Sequence, residues 1–185
     1  KIEIPMNSNL QMIELGTFSN SKIKEIFIPS KVSKISEYSF EKCIDLIKVE
    51  IPTNSILQSI GKYAFLTTNI KKIFIPSTVS VICEGAFCHC YNLTKVEFGT
   101  NSSLKKIEKS AFEDSKISQI IIPSTVSIIC KAAFCNCTNL NKVEIPTNSD
   151  LQSIEEYVFY NTKIKKIFIP SKVSKIFKYA FQNCN

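Results

Sequence analysis

Eight phenylalanines recur in phase along this chain, at Phe18, Phe40, Phe65, Phe87, Phe112, Phe134, Phe159 and Phe181. Their steps alternate between 22 and 25 residues, so the unit of the sequence is a pair of coils 47 residues long. A second landmark agrees: the apolar residue that opens each full copy stands at Ile23, Leu46, Ile70, Leu93, Ile117, Leu140 and Ile164, in steps of 23 and 24. A fixed period of about 20 to 50 residues marks a stack of equivalent supersecondary units. No unit in such a stack can bury its own apolar side, so burial comes from its neighbours. The repeat runs from end to end without a linker, and residues 1–185 read as one solenoid of about eight coils in 47-residue pairs. Terminal units of a stack need polar caps. Neither end carries one, so the chain reads as a segment of a longer array.

Within each copy the strand is clear. Position 1 and the inward positions 4 and 6 are apolar, as in Leu93-Thr-Lys-Val96-Glu-Phe98. Side chains alternate along a strand, so positions 3 and 5 face the other way. Proline follows at position 7 in Pro29, Pro52, Pro76, Pro123, Pro146 and Pro170, and stops the strand because it lacks the N–H of a continuing ladder. Gly99 takes that place once. A shorter apolar pair comes next (Val32/Ile35, or Leu57/Ile60 in the longer coils), then a turn closed by a small residue and phenylalanine, as in Ala64-Phe65. The short coils read IPSxVSxI and the long ones IPTNSxLQSI.

The pattern LxxIxIPxxVxxIxxxAFxxCxxL resembles the BspA-like, Treponema-type leucine-rich repeat, with proline, Ala-Phe and cysteine all in phase. The resemblance implies a right-handed leucine-rich-repeat solenoid. It places parallel β-strands on the concave face and short strands, turns or 3-10 segments on the convex side. It also implies a non-enzymatic binding module of the surface adhesin or antigen type, acting through protein–protein or protein–glycan contacts with a host cell or matrix.

The outward strand positions are the candidate ligand surface. Position 3 reads Glu25, Lys48, Lys72, Lys95, Gln119, Lys142, Lys166; position 5 reads Phe27, Glu50, Phe74, Glu97, Ile121, Glu144, Phe168. Every short coil therefore sets a large apolar residue on the water side of the sheet, and every long coil sets glutamate there. Aromatic residues in a polar frame are what protein interfaces use as anchors. The expected ligand-binding residues are Phe27, Lys48, Glu50, Lys72, Phe74, Lys95, Glu97, Ile121, Lys142, Glu144, Lys166 and Phe168, and the expected partner is a protein or an acidic glycan.

Composition narrows the alternatives. The net charge is +7 and all 23 basic residues are lysine. Arginine is the preferred residue for bidentate phosphate and base recognition, so its absence argues against specific nucleic-acid binding. No run of 18 apolar residues exists to span a membrane. KIEIP at the start is already repeat sequence, so no leader is legible and localisation, at the cell surface or secreted, rests on the resemblance. With one histidine and three aspartates there is no catalytic constellation, no phosphate-cradling glycine loop and no expected cofactor.

The eight cysteines follow the repeat. Cys43, Cys90, Cys137 and Cys184 each lie three residues after a short-coil phenylalanine, where long coils carry Ser21, Thr68, Ser115 and Thr162. Like positions two coils apart are roughly 9 to 10 Å apart, beyond the reach of a disulfide. The column reads as small buried positions in which Cys acts as a hydrophobe. Cys88-His89-Cys90 has the wrong spacing for a zinc site, and its copy Cys135-Asn136-Cys137 lacks the histidine. Three Asn-x-Ser/Thr sequons stand at Asn92, Asn101 and Asn136, the last expected to be poorly accessible. Two other roles compete with a surface binder: an intracellular scaffold of the same fold, and a spacer whose repeats serve only reach.

Overall fold

The computed structural model describes residues 2–184. Fourteen short strands follow one another: β1 (Met12–Ile13), β2 (Glu25–Phe27), β3 (Lys34–Ile35), β4 (Lys48–Glu50), β5 (Ser59–Ile60), β6 (Lys72–Ile75), β7 (Val81–Ile82), β8 (Lys95–Phe98), β9 (Lys106–Ile107), β10 (Gln119–Ile121), β11 (Ile128–Ile129), β12 (Lys142–Glu144), β13 (Ser153–Ile154) and β14 (Lys175–Ile176). All pairing is parallel and between successive coils. This is the β-solenoid that the repeat demands. Among the described residues there is no helix, and turns fill the places where turns or 3-10 segments are implied.

Three side-chain columns make the core. The isoleucine ending each two-residue strand lies opposite the same residue of the next coil, as in Ile35↔Ile60 and Ile60↔Ile82. Inward strand residues such as Ile73, Ile75 and Ile120 form the second column. The third is the phenylalanine ladder: rings from Phe18 to Phe181 stack in one file with centroids 5.0–5.6 Å apart. Six of those rings, Phe40 to Phe159, are fully buried. Stacking at that separation is favourable beyond area burial.

The turns around the rings are held as firmly as any strand. Alternate amides cross to the next coil: Tyr63, Phe65 and Thr67 donate to the carbonyls of Glu84, Ala86 and Cys88 at 2.9, 2.8 and 3.0 Å. The amides between them close tight turns within the coil, as Leu66 does to Tyr63 at 3.2 Å. Holding both patterns at once bends the chain twice, so the residues two before and two after every phenylalanine take a left-handed conformation, from Gly16 and Asn20 to Tyr179 and Asn183. Most of them are not glycine, which costs about 1–2 kcal/mol at each. The inter-coil bonds and the ring stack hold them there.

The two strand columns differ. The two-residue strands form one unbroken eight-stranded sheet. The longer strands, expected to stack as a single column, form three separate pairs, β2–β4, β6–β8 and β10–β12. No ladder joins β4 to β6 or β8 to β10, and residues 164–169, which would follow β12, form no strand. Every break falls where a long coil meets the next short one. The interruption therefore has the 47-residue period of the coil lengths and does not stem from one residue. At Gly99, in place of the usual proline, an added Cβ would sit 2.7 Å from the Ser77 amide nitrogen, so that approach leaves no room for a side chain.

The cysteine column is polar, with Cys43, Cys90 and Cys137 buried and Cys184 half-buried. The thiol of Cys90 donates to the Phe65 carbonyl at 3.1 Å and lies 3.3 Å from the Thr68 hydroxyl, which itself donates to that carbonyl at 3.0 Å. Cys43, Cys137 and Cys184 repeat the arrangement with Ser21, Ser115 and Thr162. The reading of these cysteines as plain hydrophobes is corrected: each satisfies a polar neighbour across a coil junction. All eight cysteines are free thiols.

Candidate functional site

Strand alternation places the position-3 and position-5 residues on one side of the β2–β12 column. Lys48, Glu50, Lys72, Lys95, Glu97, Ile121, Lys142, Glu144, Lys166 and Phe168 face water, with Ile121 61% and Phe168 54% exposed. Phe27 and Phe74 are half-buried. Register brings each apolar residue opposite a glutamate: Phe27↔Glu50, Phe74↔Glu97 and Ile121↔Glu144. The expected residues on β2 to β12 thus share one face, and Lys166 and Phe168 continue the series in the segment 164–169, which forms no strand.

The Lys–Glu neutralisation that the two rows imply takes place within single strands. In each long coil the lysine at position 3 bonds the glutamate at position 5 of its own strand: Lys48 to Glu50, Lys95 to Glu97 at 2.6 Å, and Lys142 to Glu144 at 2.5 Å. The hydrogen bond that Lys48 donates to Glu50 raises its ammonium above the ordinary pKa. The long coils therefore present neutral pairs over their aliphatic stems. Lys72 and Lys166, in short coils, have no ion-pair partner among the described residues, and neither do Lys71 and Lys165 beside them. On the strands, uncompensated lysines therefore stand next to Phe74 and Phe168.

Two grooves open where the ladder is broken. One, of about 820 Å³, crosses β8, β10 and β12 between Phe98, Gly99 and Asn101 on one side and Ile121, Pro123 and Thr125 on the other. The other, of about 480 Å³, lies at the β4/β6 junction and is lined by Ile47, Lys48, Lys71, Lys72 and Phe74. Sequence reasoning missed Ile47, Lys71, Phe98 and Asn101. The signal for Ile47 was available, since it is an isoleucine at a position where other coils carry Lys, Thr, Ser or Asn.

Elsewhere the titratable groups serve the stack. Desolvation pushes the thiols of Cys88, Cys135 and Cys137 up to about 12, and those of Cys90 and Cys130 up to about 11. Such thiols stay protonated at neutral pH and make poor nucleophiles. His89 Nδ1 meets Asp114 Oδ2 of the next coil at 2.8 Å and Tyr91 Oη at 3.2 Å. Asn92 and Asn101 are exposed, whereas Asn136 is partly covered and accepts a hydrogen bond from Asn161 at 3.0 Å. Among the described residues no three of His, Cys, Asp and Glu converge as a metal site would require, and no helix is long and apolar enough to cross a membrane.

Comparison with known proteins gives the same architecture. The defining pattern of the BspA type leucine-rich repeat region matches residues 1–94 and 58–185 in six copies. A leucine-rich repeat protein of T. pallidum is similar in structure, with a TM-score of 0.75 at 22% identity over 86% of this chain and 78% of that one. The pneumococcal vaccine antigen PcpA has a TM-score of 0.73 at 20% identity, over 94% of this chain and 54% of its own. A leucine-rich repeat protein from Eubacterium ventriosum has a TM-score of 0.56 at 20% identity, covering 96% of this chain and 63% of that one. At these identities the likeness is one of fold. The chain spans about half the length of the pneumococcal antigen (54%). No match is found among curated proteins.

Proposed function

Because this chain belongs to the BspA type leucine-rich repeat family, whose repeats are protein-binding scaffolds, we propose that it is a non-enzymatic surface module of the adhesin type. Its strand face grips a protein or acidic glycan on a host cell or matrix. The observation that carries this reading is the file of large apolar residues on the outward side, Ile121 and Phe168 exposed and Phe27 and Phe74 half-buried, one on each short coil and framed by Lys and Glu. The core has no use for them there, and interfaces anchor on such residues. That a protein of similar fold is a vaccine antigen supports the cell-surface placement.

The test is adherence. The double variant Phe74→Ser/Phe168→Ser should abolish retention of the chain on host cells or matrix while its circular dichroism and melting temperature stay near those of the parent. Unchanged retention by the folded variant would remove the strand face from consideration. The eight free thiols favour a second reading, an intracellular scaffold, since reducing compartments keep thiols reduced. Thiol counting on protein taken from its own cell, with imaging of its location, separates the two. Reduced protein confined to the cytosol rejects the surface role.

A further inference from the structure

We propose that the strand face takes an acidic amphipathic helix of a partner protein, laid along the solenoid axis with one apolar side chain on each short coil. This rests on the strand face being the binding surface and names what it binds. Spacing is the first argument. The apolar residues recur every second coil, about 10 Å apart at the usual strand separation. Seven helical residues rise about 10.5 Å and return to the same helix face after nearly two turns. Three residues of an extended strand cover the same distance, but residues an odd number apart point to opposite sides. A helix therefore meets successive anchors with one stripe, and an extended peptide does not.

Charge is the second argument. Glu50, Glu97 and Glu144 are each engaged by a lysine of their own strand, so the long coils offer a partner no net charge. Beside Phe74 and Phe168, Lys71, Lys72, Lys165 and Lys166 have no ion-pair partner among the described residues. Carboxylates flanking the apolar stripe of a helix complement them. The grooves at the β4/β6 and β8/β10 junctions open beside the anchors Phe74 and Ile121, which line them, and give room to side chains three and four residues along the helix. Ile121 in the anchor row favours apolar side chains over sugar rings, because an isoleucine has no π face to stack.

The probe is a fluorescein-labelled synthetic helix of four heptads with leucine at one position per heptad and glutamate on both flanks, titrated by anisotropy against the full chain. Binding is expected, and Phe74→Ser/Phe168→Ser should weaken it about tenfold or more. Lys72→Gln/Lys166→Gln should weaken it severalfold and flatten its salt dependence, whereas Lys109→Gln, an exposed lysine on the turn flank, should change it less than about twofold. The same residues rearranged with leucine at every fifth position should not bind. Equal binding of the rearranged helix, or indifference to the two phenylalanines, overturns the proposal. If a sulfated glycan binds through Phe74 and Phe168 while the helix fails, the helix is wrong and the strand face stands. If helix, glycan and cell adherence are all indifferent to those residues, both readings fall. Melting curves of every variant confirm that the stack is intact.

Discussion

The two flanks of this solenoid are built from the same repeat and held together differently. On the turn flank, amides at alternate residues cross to the next coil, stacked rings fill the interior and thiols bond carbonyls across the junctions. The amide and ring patterns are the same whether the junction runs from short to long coil or back, and the thiol bonds fall where a long coil meets the next short one. On the strand flank the ladder closes within a 47-residue pair and opens between pairs. Cohesion therefore sits on one side, and the other side is left with grooves, exposed apolar residues and charges that no neighbour cancels. A surface that must meet a partner is drawn from the less saturated part of a fold.

The comparison breaks most visibly at a ring. Phe112→Ala, in mid-ladder, removes a fully buried side chain that stacks on Phe87 and Phe134 at 5.2 and 5.3 Å. It should cost about 3–5 kcal/mol in denaturant unfolding, whereas Phe168→Ser on the strand face should leave the midpoint almost unmoved. In a stack each coil touches only its neighbours, so the ring loss weakens two junctions together. The next effect is steric. An added Cβ on Gly61 would stand 2.6 Å from the Ser36 carbonyl carbon and 2.8 Å from the Glu37 nitrogen, all backbone. Gly61→Ala should destabilise by about 1–3 kcal/mol, read as a lower melting temperature.

A change in the opposite direction sharpens the contrast. Thr67 is a β-branched residue held at φ 56° by the inter-coil bonds of its turn. Thr67→Gly should relieve that conformation and raise stability by about 1 kcal/mol. A loss would show that the turns are not strained at these positions.

The smallest effect is electrostatic. Lys62, hydrogen-bonded to Glu84 at 2.9 Å, holds that carboxyl below its ordinary range, with Tyr63 and Lys109 adding to it. A depressed folded pKa contributes stability above the unfolded value of about 4.3, and that contribution disappears as pH falls through the lower folded value. Glu84→Gln should therefore flatten part of the stability loss below about pH 4.3 and leave the remainder, an effect below about 1 kcal/mol because the pair is partly solvated. Urea titrations at successive pH values measure it.

The residues themselves declared the inward and outward faces. Proline at position 7, alternation at positions 3 to 6 and phenylalanine in phase were enough to place Ile73 in the core and Phe74 on the opposite, outward side of its strand, where it is half-buried. They were also enough to keep like-column cysteines apart. The local pairing of Lys95 with Glu97 was within reach of the same alternation, since residues two apart share a face. Partial neutralisation of these glutamates by neighbouring lysines was legible in the sequence; which lysine serves which glutamate is what the structure adds.

What a residue faces is set by its own place in the period, and that much of this protein was written in its order of side chains: a stack of coils, a ring ladder, a buried Ser/Thr–Cys column and an outward file of apolar residues. Which strands would join was decided by the assembled stack. A ladder bond depends on how two successive coils are offset, and no single residue encodes that offset. Coil lengths alternate, so the strand ladder closes at one junction and opens at the next. The two left-handed residues beside each phenylalanine, occupied by Tyr63, Thr67 or Ala132 as readily as by glycine, follow from the same cause, because the backbone bends where the junction requires it and the side chain follows.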